Sequence, residues 1–264
     1  MFYIFRPHSV GGRMAVMTTT KNTEFVNNKI NLKDLKSSCS TCSLNQLCLP
    51  RGLNKENLEK LDYIIKNSAR IKKGNFLYRA NNNFKSLCAI RSGSAKVNVI
   101  DKNGEERILG FYFPGEVIGF EAINEQKYTC CAIALEALSY CRLPIENIDK
   151  ICQEIPEFRD HIFQLLSKEI SNEHELLLML NKKSAEEKLA VFLISLSTRF
   201  RRLGYSFDKY DLPMSRHDIG NYLGLTTETV SRTFSKFKKL DLLDVNGKNL
   251  LIKNFDGIHA IADG

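Results

Sequence analysis

Three of the chain's eight cysteines crowd into one segment, CSTCSLNQLC, as Cys39, Cys42 and Cys48. Thiols at C-x2-C-x5-C spacing, set among Ser, Thr, Asn and Gln, can form disulfides, ligate a metal or pack as small hydrophobes. Disulfide frameworks belong to exported chains. The N-terminal MFYIFRPHSVGGRMAVM is too broken by Arg6, Pro7 and Arg13 for a signal peptide, and Met14 or Met17 would serve as a start. A zinc ribbon would need a second CxxC, and no His lies close by. Iron–sulfur clusters prefer cysteine, so three local thiolates with one distant partner make a chemically reasonable cluster site. Spacing alone leaves zinc and redox-active thiols open. Cys88, Cys130 and Cys152 stand in apolar surroundings and read as core residues.

A second constellation lies in SRHDIGNYLGLTTETVSRTFSKF, which reads as a helix, a tight turn at Leu223-Gly224-Leu225, and a second helix capped by Thr226. Val230, Phe234 and Phe237, at steps of four and three, must face inward. That turns Thr227, Glu228, Ser231, Arg232 and Ser235 outward, where they could enter the major groove of double-stranded DNA. Arg232 can donate two hydrogen bonds to guanine, Glu228 can accept from cytosine, and Ser231 can do either. Lys236, Lys238 and Lys239 can reach phosphates, which sets affinity rather than sequence preference. The formal charge is +8, and between residues 199 and 239 nine Lys or Arg stand against four Asp or Glu, the surplus a nucleic-acid reader needs. Only five His occur and none falls in a catalytic motif, so an enzyme is not expected.

These groups need elements to hold them. Residues 1–35 read as a disordered arm. Over 36–155 the cysteine segment leads into a short amphipathic helix (apolar at 58, 61, 64 and 65). Short Val-, Ile-, Phe- and Tyr-rich runs follow between glycines 74, 93, 104 and 115. They predict an antiparallel β domain of seven or eight strands with an Asn-Gly hairpin in DKNGEE. Pro156 opens a long helix over 156–183. Phe163, Leu166, Ile170, Glu173, Leu177 and Leu180 follow an a/d heptad on it, the seam of a helix that pairs with a second copy. Residues 184–264 return to helices around the helix-turn-helix and close with an Asn-Gly hairpin in DVNGKNLLI. No run of about 18 apolar residues exists to span a membrane, and nothing points to export, so a cytoplasmic location is expected.

From about residue 36 to 262 the chain resembles the fumarate–nitrate reduction regulators of the cyclic AMP receptor protein superfamily. CSTCSLNQLC, AIRSGSAKV, PGEVIGF, KKSAEEKLAVF and DIGNYLGLTTETVSR carry the resemblance. It implies an α+β fold: an N-terminal β-roll of the cyclic-nucleotide-binding kind, a long dimerisation helix and a C-terminal winged helix-turn-helix. It also implies a homodimeric transcription regulator whose [4Fe–4S] cluster permits dimerisation without oxygen and is lost to oxygen. The ligands implied are Cys39, Cys42, Cys48 and, in SYCRLP, Cys141, in preference to Cys130 and Cys131. The DNA-reading residues implied are Glu228, Ser231 and Arg232, on a palindrome of TTGAT-like half-sites. Ser92 and the Gly104-Glu105 loop are implied as contacts to RNA polymerase. Cyclic-nucleotide pockets carry an Arg after the PGE motif. Here that region reads Lys127-Tyr128-Thr129, with no Arg from 108 to 141, so no cyclic nucleotide is expected. The competing expectation is a superfamily regulator that senses a small ligand, nitric oxide or redox state through zinc or thiols.

Overall fold

A computed structural model describes residues 38–67 and 70–264, so the arm expected over 1–35 lies outside the described residues. Helix α1 (Lys55–Ile64) follows the cysteine segment, capped by the Asn54 side chain, and buries Leu61. The short apolar runs then become eight strands. These are β1 (Lys66–Asn67), β2 (Phe76–Tyr78), β3 (Ser86–Ser92), β4 (Ala95–Ile100), β5 (Glu106–Tyr112), β6 (Val117–Ile118), β7 (Cys131–Ala134) and β8 (Ser139–Pro144). They make two four-stranded sheets, ordered β1-β8-β3-β6 and β2-β7-β4-β5, with every pair antiparallel. Gly93 lets the chain turn tightly: it sits at φ 77°, and a Cβ there would stand 2.4 Å from the Ala137 carbonyl oxygen.

The β4–β5 hairpin forms, but not as a two-residue Asn-Gly turn. Ile100 pairs Glu106 and leaves a five-residue loop. Asp101 organises that loop through its side chain, which accepts from the Asn103 and Glu105 amides at 2.8 and 2.9 Å.

Helix α2 (Ile148–Glu154) leads into α3 (Pro156–Lys182), which has Pro at its start as predicted. α4 (Ala185–Arg202) opens with a reciprocal capping box between Ser184 and Glu187. There follow β9 (Lys209–Asp211), α5 (Arg216–Leu223), α6 (Thr227–Lys239), β10 (Leu243–Asn246), β11 (Asn249–Ile252) and α7 (Phe255–Asp263). The wing is a three-stranded sheet, β10-β11-β9, and here too Asn246 is a pairing residue, opposite Asn249, so Gly247-Lys248 makes the turn. β9 and α7 extend the expected ending.

The hydrophobic core is in two parts. One fills the β-roll and takes in Leu49, Leu61, Phe158 and Ile162. The other fills the helix-turn-helix region but includes Phe111 and Phe113 at the end of β5 and just beyond it. Phe111 lies 6.0 Å from Phe192 and 5.2 Å from Tyr222, ring centre to ring centre, so the hairpin docks directly on α4 and α5. No helix among the described residues is long and apolar enough to cross a membrane.

Candidate functional site

The cysteine segment is a short 3-10 turn (Cys39–Thr41) followed by turns, held at both ends by other elements. At its start Asp62 of α1 accepts from the Cys39 amide at 2.5 Å and from the Ser38 hydroxyl. At its end His161 Nε2, on the second turn of α3, donates to the Cys48 carbonyl at 3.1 Å. Leu49, next along, is fully buried in the β-roll core. Neither Asp62 nor His161 stood out in the sequence, since each lies far from the residue it holds.

Cys141 sits mid-strand in β8, opposite Ala89 of β3 on one side and Asn67 of β1 on the other. Cys39, Cys42, Cys48 and Cys141 are all half-buried, whereas Cys88, Cys130 and Cys131 are buried; Cys152 is half-buried against the β-roll core. The four half-buried thiols at the segment and β8 lie in electrostatic reach of one another. Burial first, then the Asp62 hydrogen bond and charge, then Cys141 and Cys48, push the Cys39 thiol far up. Burial with the charges of Cys141 and Cys42 raises Cys48 to about 12, against an opposing hydrogen bond from the Leu49 amide. Cys141 is raised by burial and by Cys42 and Asp62, with Arg91 opposing. Loading a metal centre there must therefore displace protons. Among the described residues no three His, Cys, Asp or Glu converge tightly enough to hold one ion. A four-iron cluster makes no such demand, because each cysteine binds its own iron.

Inside the β-roll, the Tyr128 ring stacks on Tyr78 at 4.0 Å, meets Phe84 edge-on at 5.4 Å, and its hydroxyl donates to the Ser86 carbonyl at 2.8 Å. In the Lys127-Tyr128-Thr129 stretch Tyr128 is thus an uncharged ring built into the core, while Lys127 and Thr129 are exposed.

On α3, Leu166 packs toward the β-roll core and Leu180 lies half-buried beside Gly224. Phe163, Ile170 and Leu177, spaced by seven, are 62%, 54% and 57% exposed, and Glu173 is exposed between the last two. The expected seam is thus divided: its outer half is free in the single chain, while Leu166 and Leu180 serve the protein's own packing.

The second helix of the expected helix-turn-helix is α6. Thr226 caps it by accepting from the Thr229 amide, and Gly224 ends α5 in the left-handed conformation at φ 64°. Gly220, not singled out from the sequence, is equally required, since a Cβ there would come within 2.7 Å of the Leu225 carbonyl oxygen. Val230, Phe234 and Phe237 are buried; Glu228, Ser231, Arg232 and Ser235 are exposed and Thr227 half-buried. The Glu228 carboxyl is held low by its own amide and by the Thr226 hydroxyl at the helix start. Lys236 and Lys238, expected to face phosphates, are engaged in the DNA-free chain with Glu186 at 2.5 Å and Asp244 at 2.6 Å. Exposed pairs of this kind are too weak to keep either lysine from a phosphate.

The β4–β5 hairpin grips α5 by polar contacts. Asn221 Nδ2 donates to the Glu106 carbonyl and its Oδ1 accepts from the Ile108 amide, both at 2.7 Å, so a carboxamide completes the free edge of β5. Lys96 bridges Asp218 and Glu106, each at 2.8 Å. Arg199 of α4 forks onto Glu116 at 2.8 and 2.6 Å and donates to the Phe111 carbonyl.

Two family models match: the cyclic nucleotide-binding domain over residues 69–155 and the Crp-like helix-turn-helix domain over 187–261. The transcriptional activator FnrA of Stutzerimonas stutzeri is 41% identical over 229 residues, 87% of this chain and 94% of that protein. The fumarate and nitrate reduction regulatory proteins of Salmonella typhi and Escherichia coli are 43% and 42% identical, each over 85% of this chain and 90% of the relative. Among solved structures, FixK2 from Bradyrhizobium japonicum superposes with a TM-score of 0.68 at 24% identity, covering 74% of this chain and 97% of its own. A CooA mutant from Carboxydothermus hydrogenoformans gives 0.62 at 22%, covering 76% and 88%. These last two establish the fold alone.

Proposed function

The chain belongs to the family of fumarate and nitrate reduction regulators, and from that membership we propose that it switches genes in response to oxygen, dimerising and binding DNA while Cys39, Cys42, Cys48 and Cys141 hold a [4Fe–4S] cluster. That it is a DNA-binding transcription regulator, and not an enzyme, follows from the relatives and the matching helix-turn-helix. What supports the finer reading is the family membership together with the placing of Cys141 of β8, half-buried, in electrostatic reach of the half-buried thiols of the cysteine segment.

A [4Fe–4S] cluster bound there would supply a centre destroyed by oxygen. The chain's own residues do the rest. Asp62 fixes where Cys39 stands, β8 fixes Cys141, and α3 is tied to Cys48 through His161. The exposed strip of Phe163, Ile170 and Leu177 would meet its copy in a homodimer, setting two α6 helices about one helical turn apart on TTGAT-like half-sites. Glu228, Ser231 and Arg232 would read bases there, with Thr227 and Ser235 at their flanks and Lys236 and Lys238 on phosphates. The loop over 101–105 and Ser92 are the surfaces we assign to RNA polymerase. Tyr128, locked between Tyr78 and Phe84, supports a β-roll used as scaffold rather than as a cyclic-nucleotide pocket.

Protein purified without oxygen should be brown, with iron and sulfide near four each per chain, and should bleach in air. Replacing any one of Cys39, Cys42, Cys48 or Cys141 by Ser should abolish stable loading, while Cys88→Ser, Cys130→Ser, Cys131→Ser and Cys152→Ser should load normally. Colourless anaerobic protein with bound zinc would favour the thiol-sensing alternative, and full cluster content in Cys141→Ser would refute the fourth ligand.

A further inference from the structure

The cysteine segment meets the rest of the protein through two polar contacts of different kinds. Asp62 lies on α1, which packs on the β-roll through Leu61, so its bonds to Cys39 and Ser38 anchor that end to the scaffold. His161 lies on α3, two residues before the exposed Phe163, and its ring is 5% exposed. A buried ring nitrogen without a partner would cost far more than an exposed one. Its bond to the Cys48 carbonyl therefore constrains α3 as much as it constrains the segment. Any movement of Cys48 must either carry His161 along or leave it only its bond to Gln164 within α3.

Building on the cluster reading above, we propose that His161 is the positioning residue that couples the cysteine segment to the dimerisation helix. With the Cys39 end held by Asp62 and the chain beyond Cys48 held by the buried Leu49, a change in how the sulfurs are held reaches α3 through the Cys48 carbonyl that His161 bonds. From there it passes to α3 as a small rotation or shift of its second turn. The helix is rigid enough to carry this along the strip. Ile170 and Leu177 lie about 14 and 24 Å beyond His161 at 1.5 Å per residue. Phe158 and Ile162, buried on either side of His161, set the pivot against the β-roll. His161 touches the segment by its ring nitrogen and a backbone oxygen, so it acts without being a ligand.

The test compares His161→Leu, which removes the donor, with His161→Gln, which offers an amide donor in its place. Each is loaded anaerobically and assayed for iron, sulfide and visible spectrum, and dimerisation is then measured by sedimentation. Heat unfolding of the cluster-free chains serves as the control. We expect His161→Leu to load like the unaltered chain yet dimerise about tenfold more weakly, the worth of one buried hydrogen bond, and His161→Gln to recover most of the loss. Unchanged dimerisation in loaded His161→Leu would overturn the proposal. So would a weakening that His161→Gln fails to relieve and that tracks a lower unfolding temperature, since that is a packing defect. Should the unaltered chain take up no iron, the cluster reading itself fails, and the iron assay shows this before any variant is made.

Discussion

At the scale of single residues, Arg232 and Lys238 make the sharpest contrast. Arg232 stands exposed on α6, and its guanidinium makes a long hydrogen bond, 3.4 Å, to the Thr229 hydroxyl, weak enough to leave its fork available to a guanine edge. Arg232→Ala should lose about 1–3 kcal/mol of discrimination at one base pair of each half-site, read by binding to a panel of single-base substitutions. Lys238 offers only charge, so Lys238→Ala should weaken all sequences alike and lower the salt slope by about one. Equal weakening of every sequence by Arg232→Ala would remove it from the reading set. Helical periodicity made these residues legible: once Val230, Phe234 and Phe237 are placed inside, the outer face follows. It did not show that Thr233 is buried too, because a hydroxyl that bonds back to the Thr229 carbonyl, at 2.8 Å, satisfies itself within the helix. Nor did it show the pairs of Lys236 and Lys238, whose partners arrive from α4 and β10 only on folding. Cys141 could be singled out among the cysteines only by resemblance, since its nearness to the segment is set by strand register.

Among the elements, the hairpin β4–β5 and helix α5 form the joint between the β-roll and the reading helix. Asn221 supplies both a donor and an acceptor to the edge of β5, so its loss strands an amide and a carbonyl at a half-buried joint. Asn221→Ala should destabilise the chain by about 1–3 kcal/mol in denaturant unfolding. Lys96 adds an acid-sensitive contribution. Burial would raise the Asp218 carboxyl, but Lys96 and Ser215 hold it below its ordinary value. A lowered folded-state value stabilises above the unfolded carboxyl's pKa of about 3.9 and is lost as pH falls through the lowered value. Lys96→Met should therefore cost stability at neutral pH and little near pH 2, and a loss equal at both would discount the pair. The helices and the hairpins were foreseeable from apolar spacing, Pro156 and turn residues. Their details were not. Asp101 drew the first Asn-Gly into a longer loop, β9 is three residues long and too short to show a period, and Gly257 argues locally against α7. That glycine is there for packing, since a Cβ would stand 2.5 Å from Leu242 Cδ2.

For the molecule as a whole, the undecided quantity is the balance between one chain and two. The docking of β5 on α5 joins residues more than a hundred positions apart and left no trace in local pattern, whereas the seam on α3 did, because heptad spacing is local. Of that expected seam Phe163, Ile170 and Leu177 are exposed in the single chain, an apolar strip that would suit a second copy. Glu173 interrupts it. It is exposed on this side of α3, one turn after Ile170 and one before Leu177; the nearby Glu169 carboxyl is raised chiefly by burial, with the charges of Glu116 and then Glu173 adding to it. In a symmetric parallel pair Glu173 would approach its twin while losing water, a penalty of several kcal/mol by like-charge repulsion and desolvation. Against it, and against the lost freedom of association, stand six apolar side chains, three from each copy, each worth at most about 1.5–3 kcal/mol if fully covered. With contributions of this size opposing one another, the resetting of α3 proposed above would be enough to select the dimer. Removing the carboxylate should tip that balance without any cluster. Glu173→Ala, purified in air and free of iron, is expected to sediment as a dimer and to bind a palindrome that the unaltered aerobic chain does not retain. A monomer under those conditions would mean that the switch lies elsewhere than in this carboxylate. Glu173→Gln, which keeps the shape and drops the charge, should then fall between the two if repulsion rather than polarity is what holds the chains apart.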